Sequence, residues 1–268
     1  MTLPTIRRRL RPTTRAAAAA AAAVGLGAVG IFAGDAAAGA ATSNGISSKP
    51  ATTIVATGAR TTKGASSFRV AGHITVVGTT IAFNVTDGGN GSGSGTLAVE
   101  GLGAKFVKVG TTVYVLANAS FWRRAGGAAA AKAYAGKWVK SPASNSSLKS
   151  AVQFLTGHQF FGSLSLTPSG LTLHKSGTTR LGGQTVVVVT GRAKATGSSG
   201  AVRYLVAATG RPYLLEVNGT ERADTTSASV SVRFSNLGQP VKVSAPSKSI
   251  PITTVATTTT TSTTGSAG

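Results

Sequence analysis

The stretch "GAVRYLVAATGRPYLLEV", Gly200–Val217, consists of two runs in which apolar and polar residues alternate, folded back on a Gly-Arg-Pro turn. Alternation with period two is the pattern of a half-buried strand, because successive side chains leave opposite faces of the backbone. Val202, Tyr204 and Val206 are expected on one face and Arg203 on the other, while Pro212 stands just past the turn, where a missing N–H is tolerated. Upstream, "GGQTVVVVTG" carries four consecutive valines, which predicts a strand covered on both faces. Further upstream, Phe68, Val70, Ile74 and Val76 alternate with Arg69, His73 and Thr75, and Ile81, Phe83 and Val85 repeat the pattern across a turn near Gly78. "TLAVE", "KFVKVG", "TTVYVLA" and "ASVSVRFSNLGQPVKVSAP" supply further strands. Parallel neighbours would need long crossovers, so these short glycine turns predict an antiparallel sheet.

Between the strands, "DGGNGSGSG", Asp87–Gly95, reads as a flexible loop. Thr42–Pro50 reads as a polar linker, and "ATTIVATGARTTKGASSF" as a short helix whose Thr and Gly content argues against stability in isolation. Helical pattern is otherwise confined to the middle of the chain. "FWRRAGGAAAAKAYAGKWVK" is Ala-rich, and "NSSLKSAVQFLTGHQFFGSLS" places Leu148, Val152 and Leu155 at helical spacing behind a cap at Ser146 or Ser147. From Thr253 onward the chain is nearly all Thr, Ser, Gly and Ala, too polar to pack. The order is strands, a helical insertion, then strands: an α+β domain with helices on one face of the sheet.

Composition narrows the function classes. The 268 residues include 27 Lys and Arg against 6 Asp and Glu, three His and no Cys, for a formal charge of +21. Without a thiol there is no disulfide framework, no Cys-ligated zinc and no thiolate nucleophile. The basic head "MTLPTIRRRLRPTTR", the uncharged Ala-rich run Ala16–Ala33 and the small residues of "GDAAAGAA" form an export signal. Its alternative is an uncleaved anchor, for which eight consecutive alanines and three glycines are weakly apolar. Arg7–Arg9 also allow a twin-arginine route, although their neighbours match that pattern poorly. "GLGAVG", Gly25–Gly30, has dinucleotide-loop spacing, but no strand precedes it and no acidic residue follows at the required distance.

Removal of residues 1–41 leaves 22 bases against five acids. The bases are scattered singly along strands with few aromatics beside them, which argues against nucleic acid. Either they form a solvated face, or they attract an anionic membrane surface or cell-wall polymers. Catalysis finds little material. "SSLK" (146–149) and "KSG" (175–177) mimic two motifs of penicillin-recognising enzymes, but their separation is too short, no S-x-N lies between them, and no G-x-S-x-G elbow exists. His73, His158 and His174 lack both a neighbouring carboxylate and metal-ligand spacing. Asp87, Glu100, Glu216, Glu221 and Asp224 are too few and too dispersed for calcium or paired-carboxylate chemistry. No catalytic residue, metal or cofactor is expected.

The phrases "SFRVAGHITVVGTTIAF", "VKVGTTVYVLANASFW", "AGKWVKSPASN", "GGQTVVVVTG", "YLVAATGRPYLLEV" and "FSNLGQPVKVSAP", taken in order over about Ser66–Pro246, resemble the actinobacterial LolA-like lipoproteins of the LppX and LprAFG type. The resemblance implies a curved antiparallel sheet, a half-barrel, wrapped around a few central helices. It also implies an apolar cavity in which many members carry acylated lipids or glycolipids across the envelope. On that reading the cavity walls draw on Phe83, Val85, Val113, Val115 and Phe154, together with Val188, Tyr204, Val206, Tyr213 and Leu215; each is also a candidate for ordinary core. Trp138 is expected to pack the Ala-rich helix against the sheet, and Trp122 fits either packing or a cavity mouth.

The chain departs from the family pattern in one respect: with no Cys, it has no lipobox residue to acylate. The expected organisation is a signal peptide over 1–41, a linker with a short helix over 42–65, the LolA-like domain over 66–250 and a disordered Thr-rich tail over 251–268. The expected protein is an exported, non-catalytic monomer, periplasmic or secreted and not lipid-anchored, whose partners are acyl chains and anionic surfaces. The competing reading is a packed interaction or cell-wall module without ligand. Terminal sequencing of exported material is expected to find the mature chain starting between Ala37 and Thr42; Met1 retained on a membrane-bound product would identify an anchor.

Overall fold

The alternating runs pair into one twelve-stranded sheet among the residues that the computed structural model describes, 42–145, 171–195, 198–223 and 226–252. The expected export segment, the predicted helix that begins at Ser146 or Ser147, Phe154 and the tail from Thr253 lie outside these residues. The strands are β1 (Phe68–Val76), β2 (Thr79–Asp87), β3 (Gly93–Val99), β4 (Leu102–Val109), β5 (Thr112–Ala117), β6 (Trp138–Pro142), β7 (Thr172–Leu181), β8 (Gln184–Ala195), β9 (Ser198–Ala207), β10 (Leu214–Ala223), β11 (Thr226–Ser235) and β12 (Ile250–Pro251). Their order across the sheet is β12-β6-β5-β4-β3-β2-β1-β11-β10-β9-β8-β7, which leaves the curved sheet open at both edges. Every pair is antiparallel but one: β12 runs parallel to β6, with Ile250 opposite Val139. The long connection from β11 gives the chain room for that return.

Register places the two faces. Val70 pairs with Phe234 and Val85, and Val217 with Val232 and Tyr204, so these side chains share the face that both helices cover. Arg69, His73, Asn218, Arg203 and Thr190 share the other, open face. Val186–Val189 are buried on both faces, as a run of four valines requires. Val187 and Val189 join the helix-face core, whereas Val186 and Val188 form a small cluster with Leu205 on the open side.

Two expected loops are structured. The glycine-rich stretch Asp87–Gly95 is strand at both ends, with Asp87 paired to Gly93, so the turn spans only 88–92. The Asp87 carboxylate accepts the Gly89 N–H at 2.8 Å, and the Asn90 side chain accepts from Ser92 N–H at 3.1 Å. Local side-chain-to-backbone bonds thus fix what composition alone suggests is loose. The stretch read as a polar linker is docked on the turn after β9: Asn44 donates from its side chain to the Ala207 and Gly210 carbonyls, and Ile46 is buried.

Helix α1 (Ala51–Lys63) forms despite its poor composition because one face is held by the sheet. Ile54, Val55, Gly58 and Thr62 are its buried residues, at spacings that fall on one stripe. Gly58 lies so close to β9 that a Cβ there would meet Val206 Cγ2 at 3.0 Å. The buried Thr62 hydroxyl accepts the Leu214 N–H at 2.8 Å and donates to the Leu214 carbonyl at 3.2 Å, where β10 enters the sheet through an irregular register.

Helix α2 (Ala119–Tyr134) is capped by Asn118, whose side chain accepts from Phe121 N–H at 2.9 Å, and breaks at Gly126–Gly127. It covers a second cluster built on Phe106, Val113, Val115 and Val139, with Trp122 and Tyr134 stacked between helix and sheet. The packing role expected of Trp138 falls to Trp122, for which packing was one of two expectations. Trp122 is the buried wedge, its indole N–H without a hydrogen-bond partner, while Trp138 is half-buried on the open face. Strand alternation is the cause, since Val139 takes the inward position beside it.

Thr62→Val keeps the shape of the helix–sheet contact but strands both Leu214 backbone groups in the core. It is expected to lower unfolding stability by about 1–3 kcal/mol, read from denaturant midpoints.

Candidate functional site

The helix face is not filled everywhere. Toward the turns that follow β1, β8 and β10, the inward positions of the sheet are taken by Gly200, Gly219, Ala193 and Ala228, which carry little or no side chain. The result is a cavity of about 290 Å³. Its apolar wall comes from Ile74 of β1, Val202 and Tyr204 of β9, Val217 of β10 and Val230 of β11, with Leu171 ahead of β7 at one side. Glu221 is the single carboxylate on its border. Ligand sites commonly span about 300–1,000 Å³, so this space suits one slender apolar group.

Tyr204 joins the cavity to the core, being 1% exposed while lining the space. Burial pushes its phenol up from 10.0 to about 12. The hydroxyl therefore stays neutral at ordinary pH and offers a hydrogen bond without a charge.

Of the nine expected wall residues that lie among the described residues, Tyr204 alone lines this cavity. Phe83, Val85 and Val206 are packed in the core cluster beside α1, and Val113 and Val115 in the separate cluster beneath α2. Tyr213 and Leu215 are half-buried at the margins. Val188 is a correction: it pairs with Leu205 on the opposite face and cannot share a wall with Tyr204. Ile74, Val202, Val217 and Val230 line the space without being among the expected wall residues. Their signal is the glycine within each partner strand, since an isolated strand glycine marks a place with no side chain to fill it.

The titratable groups are dispersed and engaged in structure. His73 and His174 lie exposed on the open face, and Glu100 accepts a hydrogen bond from Thr79 Oγ1 at 2.7 Å. Lys175, of the "KSG" stretch, donates to the Ser47 carbonyl at 2.7 Å. His158 and the "SSLK" stretch lie outside the described residues. Among the described residues no three His, Asp or Glu side chains group as metal ligands. None of their helices is long and apolar enough to cross a membrane.

Neither a protein-family model nor a curated protein matches the chain. Among solved structures, it is similar to LprF from Mycobacterium bovis, at 16% identity over 73% of this chain and 96% of that one, with a TM-score of 0.42. It is similar to the Mycobacterium tuberculosis lipoprotein LppX, at 17% identity over 72% and 97%, TM-score 0.41. A LolA superfamily protein from Nitrosomonas europaea shares 11% identity over 74% and 96%, TM-score 0.24.

The linkage of Tyr204 gives a test of its burial. Up to pH 10 the phenol is protonated in folded and unfolded chains alike; above it the unfolded chain releases its proton first. Stability is expected to fall by about 1.4 kcal/mol per pH unit from there to about 12, and the loss should disappear in Tyr204→Phe.

Proposed function

We propose that this protein is an exported, non-catalytic envelope protein whose helix-face cavity takes the acyl chain of a lipid or glycolipid. One observation supports the reading above others: an apolar space bounded by Ile74, Val202, Val217 and Val230 on the covered side of an otherwise packed sheet. Drawing an acyl chain of about fifteen carbons from a bilayer costs on the order of 12 kcal/mol at about 0.8 kcal/mol per CH₂. A carrier must return that energy by enclosing the chain, and alternating strands offer such a wall. Tyr204 would give the neutral hydroxyl that positions an ester or a hydroxyl of the ligand. With no cysteine for acylation, the protein would work unanchored, reaching membranes reversibly through its excess of positive charge.

The packed burial of Phe83, Val85, Val113, Val115 and Val206 favours a second reading, an interaction module that holds no ligand. The two separate experimentally. Gently purified protein is expected to carry diacyl lipid or glycolipid by mass spectrometry and to take up a fluorescent acyl probe. Gly200→Leu, whose Cβ would meet nothing closer than the Thr220 carbonyl at 3.4 Å, should fill the space in a folded protein. Val202→Glu should place a charge in it, and each change should weaken probe uptake about tenfold or more. A lipid-free protein that takes up no probe would establish the packed module.

A further inference from the structure

The open face carries a second feature, formed by the other side of the strands that bound the cavity. Across β8, β9, β10, β11 and β1, Thr190, Arg203, Asn218, Ser231 and His73 stand in one register row. The next row holds Arg192, Ala201, Thr220, Ser229 and Thr75. In the second row the short Ala201, Thr220 and Ser229 follow one another on β9–β11 and leave a trough of about 480 Å³. It shares Ala201, Thr220 and Ser229 with an adjoining hollow of about 520 Å³ that ends at Arg222 and Ser227. The floor is therefore hydroxyl-bearing, and the rims carry His73, Arg192, Arg203 and Arg222.

Charge in the trough is lopsided. Among the described residues the ion pairs are Arg203–Glu216 at 3.8 Å and Arg233–Glu216 at 4.0 Å, so the single open-face carboxylate is shared between two arginines. Glu221 borders the far end. Arg192 and Arg222 have no carboxylate partner among the described residues, and their guanidinium forks match phosphate oxygens.

We propose that this trough binds a single extended anionic chain, a phosphodiester-linked polyol polymer. Its phosphates would pair with Arg192 and Arg222, and its hydroxyls with Thr220, Ser229 and Ser231 on strands spaced about 4.8 Å apart. A planar bilayer meets the rims of a trough and not its floor. Single-strand nucleic-acid grooves stack bases on aromatic side chains, and no Phe, Tyr or Trp lines the trough.

The test uses fluorescently labelled poly(glycerol phosphate) and the intact exported protein, with binding read by anisotropy at low and moderate salt. Arg192→Gln/Arg222→Gln should weaken binding about tenfold or more, and the charge-matched helix-side pair Lys63→Gln/Lys132→Gln by less than about twofold. Thr220→Leu fills the floor without altering charge and should also weaken binding, while Tyr204→Phe in the lipid cavity should not. Circular dichroism confirms that each variant is folded. Equal losses in the two charge-matched pairs, an unaffected Thr220→Leu, or no binding by the wild type would overturn the proposal. So would vesicles of phosphatidylglycerol that compete with the same dependence on Arg192 and Arg222, which would make a membrane surface the partner.

Discussion

The contact between α1 and the β9–β10 hairpin organises the helix face. Gly58 brings the helix backbone against Val206, and four residues later the Thr62 hydroxyl satisfies both backbone groups of Leu214. Neither residue is a strong helix former, so the helix is stabilised by what it covers and not by its own propensity. The gain is mutual. Covered by α1, β9 and β10 can bury Tyr204, Val206, Leu214 and Val217, which would otherwise face water. Where glycine and alanine take inward positions toward the far ends of β8–β11, the sheet keeps an unfilled space.

The same sheet separates two chemistries by alternation alone. Every inward residue of β9 stands beside an outward one, so Tyr204 in the apolar cavity adjoins Arg203 on the cationic trough. The bases concentrate outward because a charge on the helix face would lose hydration without a partner. With one carboxylate shared between Arg203 and Arg233, most of the open face keeps uncompensated positive charge.

Much of the architecture was readable from residue order. The alternating hairpins β1–β2 and β9–β10, the valine run of β8, the turn at Gly78 and the Ala-rich helix all occur where period and turn chemistry predict them, because those signals are local. The absence of cysteine likewise excluded whole classes of chemistry before any coordinate was known. Strand alternation also assigned Val202 and Tyr204 to one face and Arg203 to the other.

Tertiary structure decided the rest. Period two says which residues share a face within one strand, but not which strands lie side by side or where a helix lands on them. Val115 and Tyr204 are both inward and apolar, yet one is sealed beneath α2 and the other borders the cavity, and only sheet order separates them. Val188 fell on the open side because register with Leu205, set by the β8–β9 pairing, fixes its direction. The stretch Thr42–Pro50 and the glycine-rich Asp87–Gly95 looked loose because their restraints are long-range or specific: Asn44 reaches residues far along the chain, and Asp87 reaches one particular amide. Sequence alone specified the alternating pattern, the charge and the turns, since these depend on neighbours along the chain. The cavity and the trough exist only where distant strands bring their small residues into one row, a juxtaposition that folding creates.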